Sequence, residues 1–121
     1  MVDLVVTVPK GMWASWLAEG DLPGQEAEYE SHFWIQRPLP DIAPGERVYI
    51  VAHDRLRGYA PLAGVEERCR LRPSMACLVR EGGAVAVTID EPIRGFQGWR
   101  RRWWDQSQER PFPAWMTEGV R

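Results

Sequence analysis

The chain has 121 residues, a length typical of one domain and sufficient for a hydrophobic core without disulfide or metal cross-links. Its hydrophobic content of 45% excludes general disorder, and its formal net charge of −2 argues against a surface that coats long nucleic acid. Every apolar run is too short for a membrane span and no signal peptide precedes Asp3, so we expect a cytoplasmic protein with reduced thiols.

Six short segments rich in β-branched and aromatic side chains predict strands. They span residues 2–8, 31–37, 47–53, 59–65, 75–80 and 84–89. The last two flank the pair Gly82-Gly83 and give the strongest hairpin signal in the chain. One early helix is predicted over residues 12–19, where apolar side chains form a helical stripe and Gly20 supplies a stop signal.

A late segment, GFQGWRRRWWD over residues 95–105, combines four aromatic side chains with three consecutive arginines. The spacing of Phe96, Trp99 and Trp103 places all three on one face if the segment is a helix, and that face would pack on the rest of the protein. We therefore take this segment as a second candidate helix.

Charge is distributed unevenly along the chain. Residues 1–30 hold one lysine and six acidic side chains, a sum of 1 − 6 = −5, whereas residues 94–110 hold five arginines and two acidic side chains, a sum of 5 − 2 = +3. Guanidinium groups bind phosphate bidentately, and indole rings are stacking platforms for bases. The late segment is therefore either a surface that binds a polyanion or, through its aromatic face, part of the core.

The closely spaced strands favour a mainly β fold with some α structure, as a single domain over residues 1–121. Such an order of elements is expected to form a small β-barrel of about six strands with flanking helices.

The order of elements also resembles the PUA-like superfamily and, within it, the ASCH domains. The similar part runs from about residue 4 to 90. It rests on the helix that ends at Gly20, the strand that ends at Arg37, and the segment GERVYI (residues 45–50) followed by a turn into Gly58. The resemblance implies a closed or nearly closed barrel whose helices flank a cleft.

Proteins of this superfamily mostly bind RNA or recognise nucleobases, so the resemblance implies an RNA- or nucleotide-binding domain as the first hypothesis. Some ASCH proteins hydrolyse modified nucleosides or RNA, which makes a hydrolase the second hypothesis, with Glu66 as its candidate proton-transfer group. The typical ASCH pattern has Gly-x-Lys after the first helix and Glu-x-Arg in the next strand; here Leu22 replaces the lysine and only Arg37 matches. A protein-interaction module that uses the Trp/Arg-rich segment 99–115 is the third hypothesis.

Under the first hypothesis, basic side chains hold phosphates and an indole stacks on a base. The candidate binding residues are Lys10, Trp34, Arg37, Arg100, Arg102 and Trp104. A solvated lysine, surface ion pairs and core tryptophans are the plainer alternatives at these positions. The expected partner is RNA or a nucleotide-like small molecule, with no membrane.

We expect no metal centre and no cofactor. Seven residues separate Cys69 from Cys77, which is not the spacing of a zinc knuckle, and His32 and His53 are scattered along the chain. A small buried thiol is the expected role of each cysteine.

Overall fold

The computed structural model describes residues 2–18, 30–70 and 72–115. Two sheets and one short α-helix make up the regular structure of these residues. The strands are β1 (Leu4–Thr7), β2 (Glu30–Ile35), β3 (Arg47–Ala52), β4 (Arg55–Glu66), β5 (Ala76–Glu81), β6 (Val87–Thr88), β7 (Trp99–Arg101) and β8 (Arg110–Pro111). The helix α1 (Trp13–Ala18) follows a 3₁₀ turn at Lys10–Met12, and a second 3₁₀ turn lies at Gln106–Gln108.

The larger sheet is a curled half-barrel of six strands in the order β2-β5-β4-β3-β1-β7. Strand β1 pairs with β3 in parallel and with β7 in antiparallel orientation, and the remaining pairs are antiparallel. Strands β6 and β8 form the second sheet. The predicted mainly β fold, a small barrel-like sheet with a flanking helix, is confirmed.

Apolar side chains cover both faces of the curled sheet. On one face, Trp13 and Trp16 of α1 pack with Leu4 and Val6 of β1 in the larger core. On the other face, Val5 belongs to a second core that the chain beyond β6 helps to close. Strand β1 is thus buried on both faces, and this explains why its sequence is continuously apolar rather than alternating.

The early helix is confirmed, but it starts at Trp13 and is preceded by the 3₁₀ turn. Trp13 and Trp16 are buried as the stripe predicted, whereas Met12 lies in the 3₁₀ turn and is 52% exposed. The predicted end of this helix at Gly20 falls outside the described residues.

The predicted hairpin between residues 75–80 and 84–89 is wrong. Strand β5 pairs with β2 and β4, so both of its edges are occupied, and β6 pairs with β8 instead. The chain after Gly83 crosses β4, where Val85 and Tyr59 form an isolated bridge with reciprocal backbone hydrogen bonds of 2.9 and 3.1 Å. Strand β5 pairs with β2 and β4, which are longer than β6 and offer more backbone hydrogen bonds.

The turn before β4 is tighter than predicted. His53 and Asp54 alone connect β3 to β4, and both adopt positive φ values, 50° and 60°. This is the backbone of a two-residue hairpin turn that matches the twist of the flanking strands. Gly58 therefore lies inside β4 rather than in the turn.

The second candidate helix, over residues 95–105, is also wrong. Trp99 to Arg101 form β7, which pairs with β1, and Gly98 enters it with a positive φ of 76°. Such a φ is incompatible with a helix, and the open edge of β1 offers backbone hydrogen bonds to an extended segment. The spacing of the apolar residues in this segment is compatible with a helix and with a strand.

Candidate functional site

The six candidate binding residues occupy three separate places. Trp34 lies on edge strand β2 and Arg37 follows it, the second group lies on or after edge strand β7, and Lys10 lies before α1. No hydrogen bond, ion pair or ring contact among the described residues joins these three groups.

One exposed group of aromatic and basic side chains lies on and beside β7. We call Phe96, Arg100, Arg101 and Trp103 the β7 patch. The guanidinium carbon of Arg100 lies 4.3 Å from the ring centre of Phe96, and the rings of Phe96 and Trp103 are 6.4 Å apart. Trp103 is 43% exposed, and Phe96 is partly buried.

Arg100 and Arg101 have opposite orientations on the edge strand. Arg100 pairs in register with Val5 and Arg101 with Leu4, residues that belong to the two different cores, so the two side chains project to opposite faces. Both are exposed, and neither forms an ion pair with the described part of the chain. Both guanidinium groups therefore lie at the exposed edge of the sheet, one on each face.

The exposed ring of Trp103 rests against a buried tryptophan. This ring contacts the ring of Trp104 edge to face, with centres 5.0 Å apart. Trp104 is only 4% exposed, and its indole N–H donates to Glu109 at 2.9 Å. Trp104, predicted to stack on a base, is thus a core residue that supports the exposed indole of Trp103.

The carboxylate of Glu109 fastens the segment after β7 to the sheet. It accepts hydrogen bonds from Tyr49 at 2.6 Å and from Arg47 at 3.3 Å, in addition to that from Trp104. Burial and this hydrogen bond to Glu109 raise the pKa of Tyr49 above its ordinary value of about 10. The phenol is therefore a permanent donor to Glu109 at neutral pH.

Arg102, another candidate phosphate ligand, already has partners within the protein. Its Nε lies 3.2 Å from Asp3 Oδ2, and its guanidinium also donates to the backbone oxygen of Trp104. Asp3 accepts a further bond, from the backbone N–H of Arg47, at 2.9 Å. Arg102 therefore neutralises a carboxylate and ties the segment after β7 to the start of the chain.

The second place, around β2, combines an exposed indole with two arginines. Trp34 is 43% exposed, and the guanidinium carbon of Arg72 lies 5.1 Å from its ring centre. Arg37 donates to the backbone oxygen of Glu67 at 2.7 Å, so it braces the loop after β4.

The third place, before α1, holds a weak surface pair. The ammonium of Lys10 lies 3.9 Å from Asp54, and both side chains are more than 60% exposed. Burial lowers the pKa of the neighbouring His53, and the positive charges of Arg57 and Lys10 lower it further. All three effects favour the neutral form of the imidazole.

Glu66, the candidate proton-transfer group, lies at the end of β4 next to both cysteines. Hydrogen bonds from the backbone and side chain of Arg70 lower the pKa of Glu66, whereas a general acid at neutral pH needs a raised pKa. Burial and contact with Cys69 raise the pKa of Cys77, so its thiol is protonated. Glu66, Cys69 and Cys77 place their donor atoms within 4.8 Å of one another.

Sequence analysis missed two features of these sites. Trp103 and Phe96 were assigned to a packed helical face, because spacing alone does not show which aromatic side chain a sheet leaves exposed. The grouping of Glu66 with both cysteines was missed because no motif spacing marks it. It becomes visible only through the strand register, which pairs Glu66 with Cys77.

No family model, curated protein or solved structure matches the chain. The resemblance to the PUA-like superfamily and its ASCH domains stays a prediction that rests on short motifs. Among the residues described, no helix has the length and apolar content needed to cross a membrane.

Proposed function

We propose that the protein binds single-stranded RNA through the β7 patch. Trp103 and Phe96 stack on bases, and Arg100 and Arg101 hold the phosphates on either side. The observation that carries the proposal is the combination of an exposed indole with two arginines that have no carboxylate partner among the described residues.

Stacking is the first part of the proposed interaction. A base needs an exposed, immobile ring, and Trp103 is 43% exposed while it rests against the buried Trp104. Arginine planes also stack on bases, and the guanidinium carbon of Arg100 lies 4.3 Å from the ring centre of Phe96. Stacking of this kind contributes about 1–3 kcal/mol per base without a sequence requirement.

Charge is the second part. The whole chain has a formal net charge of −2, so its overall charge does not attract RNA, and any attraction must come from a local basic region. Arg100 and Arg101 project to opposite faces of an edge strand, which suits a flexible backbone that follows the edge. An extended, rigid duplex would contact only one of these two arginines.

Two further considerations agree with this proposal. The resemblance to PUA-like proteins implies RNA or nucleobase recognition, although the typical ASCH residues are incomplete. The protein would act in the cytoplasm, where the free thiols of Cys69 and Cys77 stay reduced.

The test is a fluorescence-anisotropy titration of a labelled, mixed-sequence single-stranded RNA at low and moderate salt. We expect Trp103→Ala to weaken binding by about 5- to 150-fold, the equivalent of about 1–3 kcal/mol. Because each phosphate contact contributes about 0.7 to the salt slope on single strands, loss of Arg100 and Arg101 together should reduce that slope by about 1.4.

Arg110→Ala is the matched control, because Arg110 is exposed but already paired with Asp90 at 2.9 Å. It should bind RNA within about twofold of the wild type. Salt-independent binding, or equal binding by the Arg100→Ala/Arg101→Ala variant and this control, would contradict the proposal. Absence of RNA binding together with concentration-dependent dimerisation would favour the protein-interaction hypothesis instead.

A further inference from the structure

A carboxylate and two thiols meet where strands β4 and β5 are joined. We call Glu66, Cys69 and Cys77 the thiol–carboxylate triad. Their donor atoms all lie within 4.8 Å of one another, and Cys77 Sγ lies 3.5 Å from Glu66 Oε1. Both thiol groups are free and fully buried, whereas the Glu66 side chain is 23% exposed.

The backbone fixes all three positions. Glu66 and Cys77 are directly paired residues at the end of the β4–β5 ladder, so their side chains share one face of the sheet. Cys69 comes from the connection between the strands, and its N–H donates to the backbone oxygen of Met75 at 2.8 Å. Arg72 in turn donates its N–H to the oxygen of Cys69 at 3.2 Å. The triad is therefore held by hydrogen-bonded main chain on both sides.

The thiols do not belong to either large core. They form a separate small cluster with Val79 at this end of the sheet. A small apolar residue would fill the same space if packing were the only requirement. Two thiols and one carboxylate that face one another instead provide three ligand atoms around one point, where a single ion could bind.

The separations fit one tetrahedral metal ion. With Zn–S bonds of about 2.3 Å and a Zn–O bond of about 2.0 Å, tetrahedral angles give an S···O edge of about 3.5 Å and an S···S edge of about 3.8 Å. The 3.5 Å between Cys77 Sγ and Glu66 Oε1 matches the first edge, and the two separations that involve Cys69 Sγ are at most 4.8 Å, within reach of a shared ion. Thiolate donors favour Zn²⁺ over Mg²⁺ or Ca²⁺, which take oxygen ligands.

We propose that the thiol–carboxylate triad binds one Zn²⁺ ion, with water in the fourth position. Binding releases the two thiol protons to solvent. The charge of the triad is −1 before binding, from the carboxylate, and 2 − 3 = −1 afterwards, from the ion, two thiolates and the carboxylate. Zn²⁺ binding therefore leaves the net charge of the site unchanged, so the surrounding residues need not stabilise any additional charge.

Arg70 already holds the carboxylate in the required orientation. Its guanidinium binds Glu66 Oε2 at 3.0 and 3.1 Å, which leaves Oε1 directed at the thiols. The backbone N–H of Arg70 reaches Oε1 at 3.2 Å and uses one of its two lone pairs. Arg70 is thus a positioning residue, of the kind that commonly supports a ligating carboxylate.

The first test is a titration of the reduced, chelator-treated full-length protein with Co²⁺, followed by displacement with Zn²⁺. We expect one equivalent of Co²⁺, a thiolate-to-cobalt charge-transfer band in the near ultraviolet, and intense visible bands that report tetrahedral coordination. Zn²⁺ should abolish these bands at one equivalent, and mass spectrometry of the native protein should show one zinc ion per chain.

Variants identify the ligands. Glu66→Gln should weaken Zn²⁺ binding by at least about tenfold, and Cys69→Ser/Cys77→Ser should abolish the charge-transfer band. Glu67→Gln is the matched control, because it removes an adjacent, exposed carboxylate outside the triad. Glu66→Gln keeps the test decisive if the double cysteine variant fails to fold, since the Glu66 side chain is partly exposed.

Three results would overturn the proposal. They are no charge-transfer band in the wild type, equal Zn²⁺ affinities of the Glu66→Gln and Glu67→Gln variants, or a Cys69–Cys77 disulfide as the only product when Zn²⁺ and air are both supplied.

Zinc binding is independent of the proposed RNA binding. Trp103→Ala should therefore retain one equivalent of Zn²⁺ whether or not RNA binding is lost.

Discussion

Replacing Glu109 by alanine should destabilise the protein severely, although the residue lies near the end of the described chain. Its side chain is only 7% exposed and accepts hydrogen bonds from three side chains. The donors are Tyr49 in β3 at 2.6 Å, Trp104 after β7 at 2.9 Å and Arg47 in β3 at 3.3 Å. Glu109→Ala removes the common acceptor of all three.

The size of the effect follows from the burial of the donors. Tyr49 is fully buried and Trp104 is 4% exposed, so neither polar group can reach water without rearrangement. Each buried donor left without an acceptor costs about 1–3 kcal/mol. The Arg47 side chain is 32% exposed, and its lost pairing adds less than about 1 kcal/mol. We expect a total loss of about 2–7 kcal/mol, a large fraction of the roughly 5–15 kcal/mol that stabilises a typical domain.

The assay is equilibrium unfolding in urea, followed by tryptophan fluorescence and circular dichroism. Glu109→Ala should lower the midpoint with an unchanged slope, and Glu109→Gln should lower it less, because the amide oxygen still accepts. Glu91→Ala is the control, since Glu91 is exposed and should change stability by no more than about 0.5 kcal/mol. A loss below about 1 kcal/mol for Glu109→Ala would refute the view that Glu109 fastens this segment to the sheet.

Two further predictions concern packing and pH. Gly58→Ala should destabilise the fold by about 1–3 kcal/mol in urea unfolding, because a Cβ would lie 2.7 Å from the backbone oxygen of Val85. Gly64→Ala meets nothing within 4 Å and should be close to neutral, so equal losses in the two variants would contradict this account. The raised pKa of Tyr49 means that the folded state keeps the phenol proton at a pH where the unfolded chain loses it. Stability should therefore be constant below about pH 10 on this account and fall above it, and the fall should be shallower in Tyr49→Phe.

Local sequence patterns were sufficient for several elements. Strand β3 was predicted from its β-branched and aromatic composition, and the buried pair Trp13 and Trp16 from helical spacing. Strand β1 was equally clear, because burial on both faces demands a continuous apolar run. In each case neighbouring residues carry the whole signal, so no knowledge of distant contacts is needed.

Partner choice could not be predicted in the same way. Residues 75–89 had every local feature of a hairpin, yet β5 lies between β2 and β4, which belong to distant parts of the chain. Residues 95–105 had a helical apolar spacing, yet the open edge of β1 and the positive φ of Gly98 make them extended. Competition among long-range pairings decides such segments.

The amino-acid sequence by itself determined the mainly β class, the early helix and the basic, aromatic character of the late segment, because propensity, spacing and charge are properties of adjacent residues. Only the tertiary structure decided that Trp103 is exposed while Trp104 is buried, and that Glu66 meets Cys69 and Cys77. The physical reason is that burial and strand register depend on what packs across the sheet.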